Sequence, residues 1–330
     1  MLKLKYLFEN YNLARKCIEF YEYDKESLED MLPYFRISSN AIYPFRSASD
    51  VDKVCFLRLS PAEEKLLSEV LSEVHLIEWL KEKGFPAMRP VPMKNGAFVR
   101  QISTEWGTFN VSCFEKVPGK SLEDVEGTLQ IVEGYGRTLG KLHALMKEYP
   151  YSDKHRNHKD LLKEIGNRIK TYTAPEAVKA EFLSVCEALE QLKISSDNYG
   201  VIHYDFEPDN VFYDVKENAF SVIDFDDAIC CWYALDVVRA LDALDEVIGE
   251  TALDKAEAYF LEGYRSATDF TEAQKQSLTL MRRLVRLQEY TTILYVLSDP
   301  IDVMPEWMGK MIHKLKYKLR CLEETIERKV

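Results

Sequence analysis

The chain has 330 residues, of which 46% are hydrophobic and 30% charged, a composition typical of soluble globular proteins. Its 43 basic and 55 acidic residues give a net charge of −12, which argues against a general nucleic-acid-binding protein. No stretch approaches 18 uncharged apolar residues and the start lacks the apolar core of a signal peptide, so we expect no membrane segment. Seven cysteines, an odd number without a CxxC motif, indicate free thiols in a reducing compartment and hence a cytoplasmic protein.

The first third of the chain predicts a small antiparallel sheet that carries one helix. Residues 1–32 have helical character, and the runs YFRIS, NAIYPFRS and KVCFLRLS then alternate with the turn-like SSN and SASDVD. The segment SPAE, residues 60–63, has the form of a capping box and predicts that a helix begins there and ends at Gly84. Two further strands are predicted at GAFVRQI and TFNVSCFEKV.

The remainder of the chain is mostly helical in pattern. The turn-rich PGKSLEDVEG marks a boundary, and we predict an N-terminal lobe at residues 1–117 and a C-terminal lobe at residues 118–330. Helices are predicted at 122–148, 159–171, 175–193, 234–247 and 251–266, and a long one begins at 271. The exception is residues 201–228, VIHYDFEPDNVFYDVKENAFSVIDFDDA, in which two short strands flank the turn DVKENA. The predicted fold class is therefore α+β.

Polar residues in this exceptional stretch lie at the ends of strand-like segments. Asp205 and Asn210 are five residues apart, and Asp224 follows the second apolar run. A DxxxxN pair alone is common by chance, but here it comes with a preceding His203, a following Pro208 and an upstream sheet lobe. This layout resembles the aminoglycoside phosphotransferase and choline kinase family, whose catalytic loop reads His-Gly-Asp-x-x-x-x-Asn. The resemblance covers roughly residues 35–300 and implies a two-lobe, protein-kinase-like fold.

The resemblance implies phosphoryl transfer from ATP with Mg²⁺ as cofactor. Asp205 would accept the proton of the attacking hydroxyl, because this reaction requires positioning and neutralisation of charge. Asn210 and Asp224 would bind Mg²⁺, which prefers hard oxygen ligands. We expect His203 to be hydrogen-bonded beneath the loop and not to carry a proton.

The N-terminal lobe would bind the nucleotide. Arg58, on the third strand, occupies the position of the family's phosphate-binding base, and its guanidinium can bridge two phosphate oxygens. Glu73, 15 residues on, is its expected ion-pair partner; the alternative is an exposed helix charge like its neighbours. The hinge-like SCFEKVPGKSL implies that backbone groups from Glu115 to Val117 face adenine, with Cys113 beside it.

The chain departs from the family pattern at two places near the phosphates. No glycine-rich GxGxxG is present, and Ser38, Ser39 and Asn40 in the turn SSNAIY could bind the phosphates instead. Within the catalytic loop, Tyr204 and Asp209 replace the usual glycines and bring bulk and charge close to the site.

Other polar residues in family-like segments are predicted to be structural. His143 in GRTLGKLHALM is expected in the core or between the lobes, and Asp236 in WYALDVVRAL is expected to cap a helix. The pair Cys230-Cys231 lacks the spacing of zinc ligands, so we assign it no metal.

The acceptor side is predicted to be acidic. Glu207, Asp209, Asp226 and Asp227 add uncommitted negative charge to the site region, and at least some of them should face the acceptor. Trp232 and Tyr233 could form an aromatic wall that suits an ammonium group. The alternative is that these acids are solvated or cap the next helix in a chain that is acidic throughout. We therefore expect a small-molecule acceptor that bears an amine.

Three functions fit these motifs. The first is an ATP-dependent kinase that acts on a hydroxyl of a small molecule, and the second is a stress-type Ser/Thr protein kinase with the same motifs. The third is a pseudokinase or scaffold that binds nucleotide without turnover, and the intact Arg58, Asp205, Asn210 and Asp224 count against it. We predict the first; the sequence leaves the identity of the acceptor and the oligomeric state open.

Overall fold

The structure, a computed structural model, describes residues 10–37, 40–249, 252–298 and 306–328, and the statements below refer to these residues. A small antiparallel sheet with its helices precedes a larger, mainly helical part, which confirms the predicted fold class. The lobe boundary at residue 117 stays a prediction. Within the described ranges, no helix combines the length and the apolar character needed to cross a membrane.

Five strands form the sheet of the N-terminal lobe. They are β1 (Arg36–Ile37), β2 (Ala41–Arg46), β3 (Val54–Pro61), β4 (Arg100–Thr104) and β5 (Gly107–Glu115). Their order is β1-β2-β3-β5-β4, and every neighbouring pair is antiparallel. The central β3 places Arg58 directly opposite Ser112 of β5, so these two side chains share one face of the sheet.

One face of the sheet is covered by the N-terminal helices. Helix α1 (Tyr11–Ile18) and the one-turn α2 (Leu28–Met31) bury apolar side chains against β2, β3 and β5. Tyr43, Phe45 and Leu57 are fully buried in this core. The start of the chain was predicted to be helical. In its described part it contains α1, the one-turn α2 and a non-helical connection between them.

Helix α3 (Leu67–Glu82) begins later than predicted. The segment SPAE does not start it, because β3 continues through Pro61, which pairs with Phe109 of β5. Leu66 directly precedes the helix and is 60% exposed. The end of the helix is as predicted, since Gly84 follows it with φ 78°, a left-handed conformation that favours glycine.

Seven helices, among the described residues, build the C-terminal part. They are α4 (Leu129–Met146), α5 (His158–Thr171), α6 (Glu176–Glu190), α7 (Ala234–Asp242), α8 (Leu253–Arg265), α9 (Glu272–Leu297) and α10 (Glu306–Glu327). Helices α4 and α8 pack so closely that a Cβ atom on Gly136 would lie 2.0 Å from the Phe260 carbonyl oxygen. One apolar face of α3, with Ile77 and Leu80, joins the core of these helices and connects the two lobes.

Short strands hold the acidic stretch against the helices. Strands β7 (Tyr199–Ile202) and β10 (Ile229–Trp232) form an antiparallel pair, and β8 (Val211–Asp214) and β9 (Ala219–Val222) form the predicted hairpin. A two-residue strand β6 (Lys120–Ser121) pairs with β8. The loop HYDFEPDN therefore leaves β7 and enters β8, and the segment IDFDD connects β9 to β10, so both polar segments lie at the same end of these strands.

Candidate active site

The catalytic loop is held from below by Asp236. Its Oδ2 accepts the backbone N–H of His203 at 2.8 Å, and its Oδ1 accepts that of Tyr204 at 2.8 Å. The Nε2 of the buried His143 lies 3.1 Å from Oδ2, and the other ring nitrogen of His143 lies 2.7 Å from the Tyr264 hydroxyl. Asp236 makes no capping bond to α7, so its predicted role as a helix cap is wrong. The predicted core position of His143 is confirmed.

The histidine of the loop is hydrogen-bonded as expected. Burial lowers the pKa of His203, and the neutral ring donates from Nε2 to the Ile223 carbonyl at 2.9 Å while Nδ1 accepts the Asp205 N–H at 3.3 Å. Tyr204 has φ 73° and Asp224 has φ 62°, a region that costs a residue with a side chain about 1–2 kcal/mol. Backbone strain at both polar segments is typical of functional loops.

Asp205 and Asn210 are in direct contact. The Asn210 side-chain nitrogen donates to the Asp205 carbonyl and to Asp205 Oδ2, each at 3.0 Å. Because the nitrogen makes both bonds, the amide oxygen is the atom that Asn210 can offer to a cation. Loss of solvent around the carboxylate raises the pKa of Asp205 to about 7, against the lowering effect of Arg239. A base with a pKa near the working pH is effective in proton transfer.

The ion pair between Arg58 and Glu73 is present and almost fully buried. Arg58 Nη1 donates to Glu73 Oε1 at 2.9 Å, and Nη2 contacts Oε2. The guanidinium also donates from Nε to Ser112 at 3.2 Å and lies 4.6 Å from the centre of the Phe114 ring. Glu73 is 2% exposed, which excludes the alternative of an exposed helix charge. Arg58 Nη1 lies 3.8 Å from Asp224 Oδ1, so the pair reaches the acidic segment.

The Asp224 carboxylate lacks a full counter-charge. Burial, with the nearby charge of Asp226, raises the pKa of Asp224 well above its usual range, and Arg58 only partly opposes this because it also neutralises Glu73. The side chain is about a third exposed toward the cleft. A divalent cation would supply the missing positive charge, and Asp224 and Asn210 are the hard oxygen donors that fit Mg²⁺.

The residues predicted to surround adenine do not all lie on the Arg58 side of the sheet. Cys113 lies opposite Leu57 and faces the α1 side of the sheet, away from the Arg58 face, so its predicted position beside adenine is wrong. The Glu115 N–H donates to the Arg89 carbonyl at 2.8 Å. The Glu115 N–H is therefore not available to a nucleotide, and adenine binding by other backbone groups of residues 115–117 stays a prediction.

The turn predicted to bind phosphate is described only at its end. Ser38 and Ser39 lie outside the described residues. The side chain of Asn40 donates to Asp226 Oδ2 at 2.9 Å and accepts from the Ser60 hydroxyl at 2.6 Å. Both polar atoms of this side chain thus bind within the protein, and the predicted contribution of the Asn40 backbone N–H to phosphate binding stays a prediction.

Comparison with known proteins agrees with this arrangement. A model of the phosphotransferase enzyme family, APH, matches residues 45–270. The chain belongs to this family. Amicoumacin kinase of Bacillus subtilis (strain 168) is 26% identical over 167 residues, a match that spans 49% of each protein. Homoserine kinase of Caulobacter vibrioides (strain NA1000 / CB15N) is 27% identical over 228 residues, 67% of this chain and 68% of that protein.

The fold of this chain is similar to that of a solved kinase structure. That structure is an amicoumacin kinase, hAmiN, in complex with AMP-PNP, Ca²⁺ and Ami, with a TM-score of 0.77 and 20% sequence identity. The superposition covers 96% of this chain and 94% of that one. The two-lobe, protein-kinase-like fold expected from the motifs is therefore confirmed.

On the acceptor side of this phosphotransferase, the carboxylates predicted to be uncommitted are ion-paired. Glu207 accepts from Arg239 Nη1 at 2.8 Å. The Lys65 ammonium donates to Asp227 Oδ1 and to the Asp226 backbone carbonyl, each at 2.6 Å, and it lies 3.8 Å from the carboxylate oxygen Asp226 Oδ2. Burial disfavours the charge of Lys65, but Asp226 and Asp227 outweigh that effect and raise its pKa. The prediction of uncommitted charge is therefore wrong for Glu207 and Asp227, because cations distant in the sequence pair with them, although the single ammonium of Lys65 cannot neutralise Asp226 as well. For Asp209 it stays a prediction.

The predicted aromatic wall is also wrong. Trp232 and Tyr233 are 2% and 0% exposed, so neither can contact an acceptor. Trp232 packs against His158 and Tyr199, with ring centres 4.7 and 5.3 Å away, and Tyr233 packs against His143 at 4.6 Å. These aromatic residues belong to the core that supports β7 and β10.

A cavity lies between α3, α5, α9 and the segment DFDD. Among the described residues that line it, six are carboxylates and four are Lys or Arg. Glu164 and Arg168 belong to α5, and Arg156 lies in the loop before it. Tyr204 also lines the cavity, so the cavity borders the catalytic loop. Burial lowers the pKa of the lining His155 to about 4, so this ring is neutral at pH 7. The cavity is the candidate acceptor site.

Sequence reasoning missed two charged residues of the site. Arg239 bonds Glu207, lies 3.9 Å from Asp205 Oδ1 and stacks over Tyr204. A single charge inside the apolar run LDVVRAL was a signal for it, since such a charge in a buried helix requires a partner. Lys65 carried no comparable signal, because it lies in the charged stretch AEEK.

Proposed function

We propose that this chain is an ATP-dependent kinase that transfers the γ-phosphate to a hydroxyl of a small molecule. The observation that supports this best is the contact between the proposed phosphate-binding residue of the N-terminal lobe and the acidic segment of the C-terminal lobe. Arg58, paired with Glu73, lies 3.8 Å from Asp224, and Asn210 binds Asp205 through its side-chain nitrogen. The phosphate-binding base, the donors for Mg²⁺ and the general base thus share one cleft.

Each of these side chains has a role in the proposed reaction. Arg58 is held in one orientation by Glu73 and Ser112, so its fork can bind phosphate oxygens without reorganisation. Asp205 orients the acceptor hydroxyl and takes its proton as the new bond forms. Bound ATP would supply the phosphoryl group, and Mg²⁺, held by Asp224 and Asn210, would neutralise charge on the phosphates.

A small-molecule acceptor is favoured over a protein. The cavity is lined from both lobes, and a peptide segment would need an open surface there. The relatives include proteins named homoserine kinase and amicoumacin kinase. The partly exposed carboxylate of Asp227, of which Lys65 binds only one oxygen, supports an amine on the acceptor. All seven cysteines are free thiols, which supports the cytoplasmic location that we also propose.

The test is turnover with ATP and Mg²⁺ on a panel of amino alcohols, the matched alcohols without the amine, and a Ser-containing peptide, read by mass. We expect wild type to phosphorylate an amino alcohol. Asp205→Asn should lose about a hundred-fold or more in rate while it keeps its affinity for nucleotide. Asp214→Asn, at the end of β8 just before the hairpin turn, is the matched control. Normal turnover by Asp205→Asn would show that the loop is wrongly assigned, and preference for the peptide would favour a protein kinase.

A further inference from the structure

Tyr204 occupies a backbone position that does not require a side chain. Its φ of 73° is one that glycine adopts without strain, and its N–H is fixed by Asp236 Oδ1 at 2.8 Å. Any side chain here costs conformational free energy. The phenol ring is therefore not needed for the conformation of the loop, and its role depends on what it contacts.

The ring is held against a fixed cation. The Arg239 guanidinium lies 5.0 Å from the ring centre, within the range of a cation–π contact. Arg239 is itself fixed, because Nη1 donates to Glu207 at 2.8 Å and Nη2 donates to Gln288 at 2.9 Å. The orientation of the Tyr204 ring is thus set by the catalytic loop on one side and by α9 on the other.

The Tyr204 side chain borders the cavity. Tyr204 lines the cavity together with Gln288 and Asp227. Among the residues that the structure describes, none is recorded as a hydrogen-bond partner of this hydroxyl, and it is not one of the polar atoms shut off from solvent. Burial raises the pKa of Tyr204 well above its usual range, so the hydroxyl keeps its proton and can donate. The Tyr204 side chain thus brings a hydroxyl that can donate a hydrogen bond to the edge of the candidate acceptor site, one residue from Asp205.

We propose that Tyr204 contacts the acceptor and determines which alcohols are used. Its hydroxyl donates a hydrogen bond to a second polar group of the acceptor, an oxygen or an uncharged nitrogen close to the hydroxyl that Asp205 deprotonates. The acceptor class is then an alcohol with a neighbouring polar group, and not a simple alcohol. This inference rests on the proposed function of the cleft. The alternative is that the ring only packs beneath Arg239.

Tyr204→Phe separates the two roles, because it keeps the ring and removes only the hydroxyl. The full chain is assayed with ATP and Mg²⁺ on pairs of alcohols that differ in a second group able to accept a hydrogen bond, starting with homoserine, which has carboxylate oxygens, and aminopropanol, whose ammonium group accepts none. For alcohols with the second group, kcat/KM should fall about two- to twelve-fold, the equivalent of one neutral hydrogen bond. The KM for ATP and the values for simple alcohols should not change.

Two further variants make the comparison decisive. Tyr213→Phe removes a hydroxyl that donates to Asn218 on the exposed hairpin, at 2.8 Å, and should match wild type. Tyr204→Gly keeps the backbone conformation and removes the wall of the cavity, so it should lower kcat/KM for the preferred alcohols more than Tyr204→Phe does.

The outcomes distinguish this role from the proposed function. If wild type is active and Tyr204→Phe has the same selectivity as wild type, the ring only packs and the inference is overturned. If Tyr204→Phe instead raises the KM for ATP and lowers the rates for all alcohols equally, the residue acts through the loop, which also overturns it. A wild-type chain that phosphorylates no alcohol overturns the proposed function and the role of Tyr204 together.

Discussion

The substitution Asp236→Asn tests how the catalytic loop is supported. The carboxylate accepts three hydrogen bonds: the N–H groups of His203 and Tyr204, each at 2.8 Å, and Nε2–H of His143 at 3.1 Å. Asparagine offers one oxygen in place of two. In the best orientation its oxygen replaces Oδ2 and keeps the bonds from His203 and His143, while its NH₂ group faces the N–H of Tyr204.

The expected magnitude follows from these contacts. The Tyr204 N–H is left without an acceptor in a buried position, which costs about 1–3 kcal/mol. The two remaining bonds lose a charged acceptor, and each should weaken by about 0.5–1 kcal/mol. We therefore expect the free energy of unfolding to fall by about 2–5 kcal/mol, a large part of the stability of a typical domain. Without the hydrogen bond to Asp236, the left-handed backbone conformation of Tyr204 is less stable, and the adjacent Asp205 is held less firmly. The kcat should therefore fall while the KM for ATP changes little.

Urea denaturation and steady-state kinetics measure the two effects. Asp242→Asn is the control on the same helix, since Asp242 is half-exposed and pairs with Arg282 at 2.7 Å. That control should lose no more than about 1 kcal/mol. If Asp236→Asn is as stable as the control variant and keeps the wild-type kcat, the account of Asp236 as the support of the loop is refuted.

Other parts of the site make separate predictions. Arg58→Lys keeps the charge but loses the planar fork, so the KM for ATP should rise, and an unchanged KM in steady-state assays would contradict the phosphate role. Asp224→Ala should remove the Mg²⁺ dependence of nucleotide binding in calorimetry, and Asn210→Ala should reduce it less; equal dependence in Asp224→Ala and wild type would exclude the metal role. Arg239→Gln should lower the free energy of unfolding by about 1–3 kcal/mol in urea, less than for a fully buried pair because Glu207 is partly exposed. An unchanged midpoint would show that this pair contributes nothing to stability.

The sequence was informative where spacing along one segment decides the geometry. The catalytic loop, the hairpin DVKENA and the step from Arg58 to Glu73 each depend on local periodicity within a strand, a turn or a helix. The alternation of β3 was enough to place Arg58 on one face, although the same rule applied to β5 would have turned Cys113 to the other face. These parts of the site could be predicted because few other residues influence them.

Local signals failed where tertiary contacts outweighed them. The capping-box pattern of SPAE predicted a helix start, but pairing of β3 with β5 continues through Pro61 and the helix begins at Leu67. Trp232 and Tyr233 follow the acidic segment closely, yet both are buried in the core: Trp232 lies in β10, which pairs with β7, and Tyr233 immediately precedes α7. Proximity in sequence to a site says little about exposure when a strand intervenes.

The charge of the acceptor site shows the same limit and changes how an amine would be recognised. Asp226 and Asp227 share the ammonium of Lys65, which lies about 160 residues earlier in the chain, so only part of their charge is available to attract a cation over a distance. Glu164 is likewise shared between Arg156 and Arg168. Asp227 nevertheless keeps a 40% exposed carboxylate, of which Lys65 binds only one oxygen. An acceptor amine would therefore be selected by a directed hydrogen bond at close range. Since salt screens such contacts far less than it screens separated surface charges, a preference for amines should persist at high ionic strength.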